Sequence, residues 1–526
     1  MLKLKTSNGK WESFCERIEH FLSQDLITQR IDEKQVKGYR SPDSPALWIR
    51  DHSDIMRGGI YFEKDITSAV DCFADQQARN GRLFDYVLTS ALRESTEREN
   101  WEKWVRVQVE ADVEYRFIKA AFLSWQATGN EEWLRSILPA LESAFRYTTT
   151  HPSRWDTTNQ LVKRPYTIDT WDFDYTAGRE PWLNFKITDD TFWGIAHCDN
   201  SGIYESASLL ATIHTELGNR SASQTYLDFA SALKERANKL LFNGRFYTHF
   251  HKLTPVEITE INEAEQLSLS TPMAINRGLA TPEIAKAILL EYQKRRAETD
   301  AFAEWFGVDP AFPAGCFGDE KIVEGAYING GVFPLVGGEI ACAAFENGFE
   351  KYGLNTLEQY NGMIAEKGET YLWYFHDGTA SSVATSTSPD AMPTDGWGSS
   401  SMLNGFIRGL CGISDLSHSF QRVQCTPRWA VTDESSAEIQ ISYAHSNAAF
   451  GYSFEHNRDS KVLHFTLNEV GTEVDFSALL PTGSTAAEVF INSSKTTCNL
   501  QQKGESSYVC LQQKLKRADK IEIHYS

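Results

Sequence analysis

Three stretches of this chain set tryptophan beside carboxylate without any helical period. Residues 41–61 hold Trp48, Arg50, Asp51, His52 and Asp54. Residues 151–198 hold Trp155, Trp171, Trp182 and Trp193, with Asp156, Asp169, Asp172, Asp174, Asp189 and Asp190. Residues 369–397 hold Trp373, Tyr374, His376, Asp377, Asp390 and Asp395. Irregular segments this long in a compact domain are functional or disordered, and disordered ones are poor in aromatics, so these are expected to be ordered. Indole faces cover the C–H faces of sugars, and a guanidinium–carboxylate pair grips their hydroxyls. Two carboxyl groups flanking an anomeric carbon cleave a glycosidic bond: one protonates the leaving oxygen, the other activates water or attacks the sugar. The three segments contain each of these parts, so the chemistry they point to is that of carbohydrate.

Composition narrows the partner in the same direction. With 51 Lys and Arg against 71 Asp and Glu, the formal charge is −20, and no Lys/Arg-rich stretch stands out. A reader of phosphate backbones needs a positive footprint, so nucleic acid is excluded as a partner. The nine cysteines have no CxxC spacing, which predicts reduced thiols and no cysteine-ligated zinc. The basic opening residues run into an amphipathic segment carrying Glu12, Glu16 and Glu19, unlike a signal peptide. No apolar run of about 18 residues occurs, so no membrane span is expected. The expectations are therefore a cytoplasmic location, an oligosaccharide or glycoside as partner, no metal and no organic cofactor. The oligomeric state is not legible.

The elements that must hold these segments read as helical hairpins. Ile203, Ala207, Leu210, Ile213 and Leu217 fall on one helix face, and Gly218 supplies the left-handed stop. Ser221 and Gln224 then have capping-box spacing. The same grammar places helix ends at Gly129-Asn130, Asn243-Gly244 and Gly353. Irregular hairpins over 400 residues predict a closed α/α toroid, with an open helical array as the alternative. Beyond about residue 420 the pattern changes to short alternating runs at 437–443, 462–467, 487–491, 507–511 and 520–525, the sign of a small all-β sandwich. The fold class is thus mainly α, with a helical toroid over 1–420 and a β-sandwich over 421–526. The loops of one toroid rim would bring the three Trp–carboxylate segments together.

Several motifs carry a family resemblance. Ile168-Asp169-Thr170-Trp171-Asp172-Phe173 resembles the general-acid segment of the six-hairpin (α/α)6 glycosidases, in which trehalases and glucoamylases place the acid directly after a Trp; this implies Asp172. Leu47-Trp48-Ile49-Arg50-Asp51 resembles the glucoamylase Trp-x-Arg-Asp segment, which implies that Arg50 and Asp51 hold the terminal sugar. Asp395-Gly396-Trp397-Gly398-Ser399-Ser400 resembles a trehalase segment whose catalytic base lies five residues before the Asp, here Asp390. Tyr327–Pro334 is similar to the Asn-Gly-Gly turn of several six-hairpin families and brings in Asn329. A helical toroid followed by a β-sandwich is similar to bacterial α-rhamnosidases. The chain also departs from these patterns: Ser, Thr and Pro replace the Gly-rich stretch before the trehalase base, and Phe173 replaces the second glucoamylase carboxylate. Thr167-Ile168-Asp169 resembles the Thr-Tyr-Asp motif of six-hairpin β-glucosidases, which makes Asp169 the alternative acid.

The resulting site has Asp172 (or Asp169) as acid, Asp390 as base, and Trp48, Arg50, Asp51, Trp171, Asn329, Trp373, His376 and Trp397 around the sugar. Each has a plainer reading. Arg50–Asp51 also suits a loop-to-helix salt bridge, Asp390 after Pro389 a turn, the tryptophans core, and His376-Asp377 a loop turn. His197-Cys198-Asp199-Asn200 suits a helix cap or a hydroxyl or metal contact, and Asp112 a helix-to-helix hub or a pocket liner. The functional reading is an inverting glycoside hydrolase acting at chain ends or on small oligosaccharides. A glycoside phosphorylase on the same scaffold is the alternative, ahead of an epimerase, a lyase or a non-catalytic sugar binder.

Overall fold

A computed structural model describes residues 2–31, 33–40, 46–87, 104–105, 107–177, 187–319, 321–385, 393–468, 473–484, 486–512, 514–515 and 519–526. Asp390 and Trp182 lie outside them.

Between residues 10 and 404 the described helices alternate between two burial patterns. α2 (Ile49–Gly59), α4 (Val113–Thr128), α6 (His197–Glu216), α8 (Thr271–Asn276), α10 (Pro334–Glu346) and α12 (Gly396–Asn404) are buried over most of their surface. α1 (Lys10–Gln24), α5 (Glu131–Thr150), α7 (Arg220–Leu241), α9 (Pro282–Glu298) and α11 (Glu350–Lys367) bury only a stripe; α3 (Ser68–Asp75) is short. A helix apolar or buried all round belongs to an interior. The contacts agree: α2 packs on α4, α4 on α6, α6 on α8, α8 on α10, α10 on α12, and α12 back on α2. Six helices thus close a ring, with the striped helices outside it. The ring is tightest between α10 and α12, where a Cβ on Gly338 would stand 2.3 Å from the Ser401 backbone.

Helix ends show how locally the chain controls this packing. α4 stops at Gly129 (φ 67°), and Asn130 accepts a hydrogen bond from Trp133 N to start α5. Gly218 (φ 79°) follows α6, but Asn219, not Ser221, caps α7 by accepting from Ala222 N. The stop expected at Gly353 lies at Gly348 (φ 84°); Gly353 sits inside α11, where it lets Phe345 approach.

Among the described residues the β region contains two sheets. One has seven strands in the order Leu2–Thr6, Ser436–Ser442, Ala449–Asn457, Val462–Leu467, Lys520–Tyr525, Ala486–Ile491, Ser494–Thr496. The other has five: Ile413–Asp415, Arg422–Cys425, Glu473–Leu479, Ser506–Leu511, Cys498–Lys503. Phe465 of the first and Phe476 of the second meet at 5.3 Å between ring centroids. The boundary expected at 420/421 falls between two paired strands, since Ile413 pairs with Cys425. The opening residues also belong to this region: Leu2 pairs with Ile441 and Thr6 with Ala437. No described helix is long and apolar enough to cross a membrane.

Candidate active site

The candidate site is built at the N-terminal ends of α2 and α4. Leu47–Trp48 forms a short ladder with Tyr86–Val87, and Ile49 N donates to Asp85 O at 2.9 Å, so the chain turns from strand into α2 at a fixed angle. That places Arg50 in the first turn, pointing inward and buried. Its guanidinium grips Asp112, with Nε to Oδ2 at 2.6 Å and Nη2 to Oδ1 at 3.0 Å. Nη2 also donates to Thr170 O at 2.8 Å and lies 2.6 Å from Glu110 Oε1.

Asp112 stands at the N-cap position of α4 but makes no capping bond, because both its oxygens face arginine. One turn on, Arg116 Nη1 pairs with Asp54 Oδ1, and Nε is 3.5 Å from Asp112 Oδ2. Asp54 Oδ2 accepts from Trp397 Nε1 at 2.8 Å. Thr170, Arg50, Asp112, Arg116, Asp54 and Trp397 therefore form one connected chain, and it brings together all three Trp–carboxylate segments. The rings of Trp171 and Trp397 meet at 5.6 Å.

Two guanidiniums aim the peptide that carries Asp172. Arg50 holds Thr170 O, and Arg164 Nη2 donates to Trp171 O at 3.0 Å while its Nη1 pairs with Asp199 at 3.2 Å. The Trp171 indole donates to Tyr327 Oη at 2.9 Å. With Trp171 fixed on three sides, Asp172 emerges partly accessible to solvent. Burial raises its pKa above the usual carboxylate range, and Arg50 and Arg164 oppose the rise. Asp169 differs in every respect. It is buried, at φ 48°, and its carboxylate accepts from Thr170 N at 2.7 Å and from both the backbone and the hydroxyl of Ser270. Burial works against its ionisation, but His197 and the hydroxyls of Ser268 and Ser270 overcome it and hold the pKa below normal.

The remaining candidates are dispersed. Trp48 is half-buried and lies on Tyr86 with centroids 4.0 Å apart. Asp51 is buried in the first turn of α2. Asn329 spends its amide on the backbone of Phe312, accepting at 2.7 Å and donating at 2.8 Å, so it clamps two loops and is not free for a hydroxyl. Trp373 is fully buried against Phe375 and Tyr327, so it belongs to the core and offers no stacking wall. Trp171 and Trp397 are 6% and 2% exposed, which makes them the floor of the site. His376 is exposed, with Nε2 on Gly330 O at 2.9 Å. His197-Cys198-Asp199-Asn200 forms the first turn of α6 without capping it: Asp199 faces Arg164, and Asn200 brackets the Val162 backbone.

Sequence reasoning passed over a carboxyl pair. Glu110 and Asp85 are both buried and hydrogen-bond each other, which requires a proton between them. Burial raises Glu110 to about 7; Arg50 opposes this, and Asp112 and Asp172 add to it. Asp85 is pushed well up by burial and by Glu110. The available signal was Glu110, Asp112 and Glu114 set two apart in an otherwise apolar run, since carboxylates in such a run are either buried or a break in it. Among the described residues, no group of three or more His, Cys, Asp or Glu is placed to hold a metal ion.

No protein-family model matches the chain, and no curated protein sequence does. Solved structures do. An α-L-rhamnosidase from Dictyoglumus thermophilum superposes with TM-score 0.61 at 12% identity, over 99% of this chain and 50% of its own. A GH78 family rhamnosidase of a Bacillus species gives 0.58 at 15%, over 92% of this chain and 43% of its own. The GH63 mannosylglycerate hydrolase of Thermus thermophilus gives 0.51 at 15%, over 75% of this chain and 99% of its own. The chain thus spans about half the length of the rhamnosidases it resembles. What these matches establish is a fold shared with glycoside hydrolases.

Proposed function

We propose that this chain is a glycoside hydrolase that cleaves a glycosidic bond at a chain end or in a small oligosaccharide. The closed ring of helices supports reading its scaffold as an (α/α)6 toroid carrying a C-terminal β-sandwich. The observation that carries the functional reading is the convergence at Arg50. One guanidinium joins the Trp48–Asp54 segment to the Thr170 peptide and, through Asp112, Arg116 and Asp54, to Trp397.

Asp172 is the general acid. It is the accessible carboxyl of the Asp169/Asp172 pair, burial raises its pKa, the direction a proton donor needs, and its peptide is held from both flanks. Asp169, ionised and saturated with donors, positions the Thr170 turn. Asp390 is the base that activates water for inversion. Arg50 and Asp51 border the terminal sugar subsite, with Trp48 as its aromatic edge, the Trp171–Trp397 floor beneath, and His376 at the rim.

The test is a panel of nitrophenyl glycosides and unlabelled disaccharides, assayed with and without inorganic phosphate. Phosphate-independent turnover of at least one sugar is expected, with anomeric inversion in the first product seen by NMR. Asp172→Asn and Asp390→Asn should each lose about 10²–10⁴-fold in kcat while remaining folded. Turnover only with phosphate would make the enzyme a phosphorylase, and near-normal activity in either variant would remove that residue from the mechanism.

A further inference from the structure

Deeper along the ring axis, past Asp54 and Arg116, all six inner helices or their ends contribute to one cavity of about 30 Å³. α2 supplies Asp54 and Arg57, and α4 supplies Tyr115, Arg116 and Lys119. Glu205 comes from α6, Asn276 and the adjoining Arg277 from the end of α8, Glu339 from α10, and Arg408 from the turn after α12. The lining holds five cations and three carboxylates. Arg57 pairs with Glu339, Arg116 with Asp54, Lys119 with Glu205, and Arg277 lies 3.8 Å from Glu205. Arg408 pairs outward with Glu346 at 2.9 Å. Even with Glu346 counted, positive charge remains in excess.

The hydrogen-bond inventory is more lopsided than the charge. Arg57 Nη2, Arg116 Nη2 and Tyr115 Oη are buried without a hydrogen-bond partner among the described residues, while Arg116 Nε faces Asp112; the matching acceptor is Asn276 Oδ1. Arg116 and Tyr115 are each 2% exposed. An Nη carries two N–H groups, so four N–H and one O–H stand against that one acceptor among the described residues. Unsatisfied buried donors each cost about 1–3 kcal/mol, more when charged. Water relieves this poorly, because every acceptor it brings comes with further donors. An acceptor-only species carrying negative charge relieves it without adding donors. The cavity is small, which favours a compact monatomic anion over phosphate, sulfate or a carboxylate.

The cavity also has an entrance. Arg57, Lys119 and Arg408 line both it and a larger cleft of about 410 Å³ at the C-terminal ends of α2 and α4, where Arg428 and Lys503 join them. An anion arriving there meets a positive funnel in a chain of charge −20.

We infer that the axial cavity is a binding site for one monovalent halide, chloride under ordinary conditions, held by Arg57, Arg116 and Tyr115 between the candidate active site and the sheet junction. The ion completes Arg116, whose other contacts are Asp54 and Asp112. This inference stands apart from the glycosidase reading, and its tests read no activity.

Crystals of the full chain soaked in sodium bromide should show an anomalous peak within hydrogen-bonding reach of Arg57 Nη2 and Arg116 Nη2. In solution, Tm should rise by about 1–3 °C and saturate with sodium chloride or bromide, relative to sodium gluconate at equal ionic strength. Sulfate and phosphate should behave as gluconate does. Tyr115→Phe keeps the ring beneath Arg116 and Arg277 but removes one donor, so it should need about 5–10-fold more halide for the same rise. Bromide crystals with no anomalous peak on the axis, or a Tm indifferent to halide, would overturn the site. An unchanged halide response in Tyr115→Phe would overturn the assignment of Tyr115 as a ligand.

Discussion

Two clusters of buried carboxyls flank Arg50, and they titrate in opposite directions. On one side, Asp112 and Asp54 face Arg50, Arg116 and Arg57 and are held ionised. On the other, Asp85 and Glu110 hydrogen-bond each other and share a proton, and burial holds Glu110 at about 7 although Arg50 lies 2.6 Å from it. Burial pushes every one of these groups upward, so burial alone predicts nothing about their charge. What separates them is the balance of neighbours: Asp112 has two guanidiniums against burial, whereas Glu110 has Arg50 alone against burial and nearby carboxyls. Asp172 is also raised: burial prevails over Arg50 and Arg164, whose guanidiniums hold Thr170 O and Trp171 O. A proton donor can sit a few residues from a strong cation if the cation's own forks are already filled.

The same substitution should therefore have opposite costs in the two clusters. Asp112→Asn removes a charge from between two buried guanidiniums and should cost about 3–5 kcal/mol in denaturant unfolding. A loss below 1 kcal/mol would mean that the Arg50–Asp112 fork is not the keystone of the site. Asp169→Asn keeps the shape but exchanges an ionised acceptor of Ser270 and Thr170 for a weaker one. About 1–3 kcal/mol of lost stability is expected, with kcat reduced less than in Asp172→Asn.

Glu110→Gln is best read by pH. An acid must be protonated to act, and ionised Glu110 helps keep the proton on Asp172. Without it, the alkaline limb of kcat/KM should move to lower pH, by about half a unit to one unit. Stability should change as well. The folded pKa of Glu110 is raised, so the native state binds the proton more tightly than the unfolded chain does. Wild-type stability should fall as pH rises from the unfolded carboxylate pKa toward about 7, and Glu110→Gln should flatten that slope in Tm-against-pH profiles. Asp85→Asn is the smallest effect. It replaces a protonated acid by a neutral amide that can still accept from Val107 N, so less than about 1 kcal/mol should be lost. A cost matching that of Asp112→Asn would erase the distinction between the clusters.

The sequence made the helices legible where their punctuation was strong, at Gly129, Asn130 and Gly218, and blurred them where one residue was taken for another. Asn219 and Ser221 both suit a cap, and only the helix phase decides between them. Gly353 looked like a stop because it follows a helical pattern through Tyr352 and Asn355 suits the start of the next helix; in the structure it admits Phe345 instead. The meeting of three Trp–carboxylate segments could be anticipated from their composition. The roles of Asn329 and Trp373 could not, because an amide that clamps Phe312 and an indole sealed in the core have the same letters as ones lining a pocket. Glu110 and Asp85 were missed because their pairing spans 25 positions and depends on the ladder of Tyr86–Val87 with Trp104–Val105, which the sequence does not announce.

The strand at Leu2–Thr6 has a consequence for the order in which the molecule can be made. Its partner, Ser436–Ser442, lies more than four hundred residues downstream. At about 5–20 residues per second of translation, the strand waits roughly 20–90 s for its ladder. During that interval it is an open edge among nascent chains, with Leu2 and Leu4 on one face. Lys3 and Lys5 point the other way and stay exposed in the finished protein. Like charges of that kind repel a second copy of the same strand, so these two lysines act as a guard on a newborn segment.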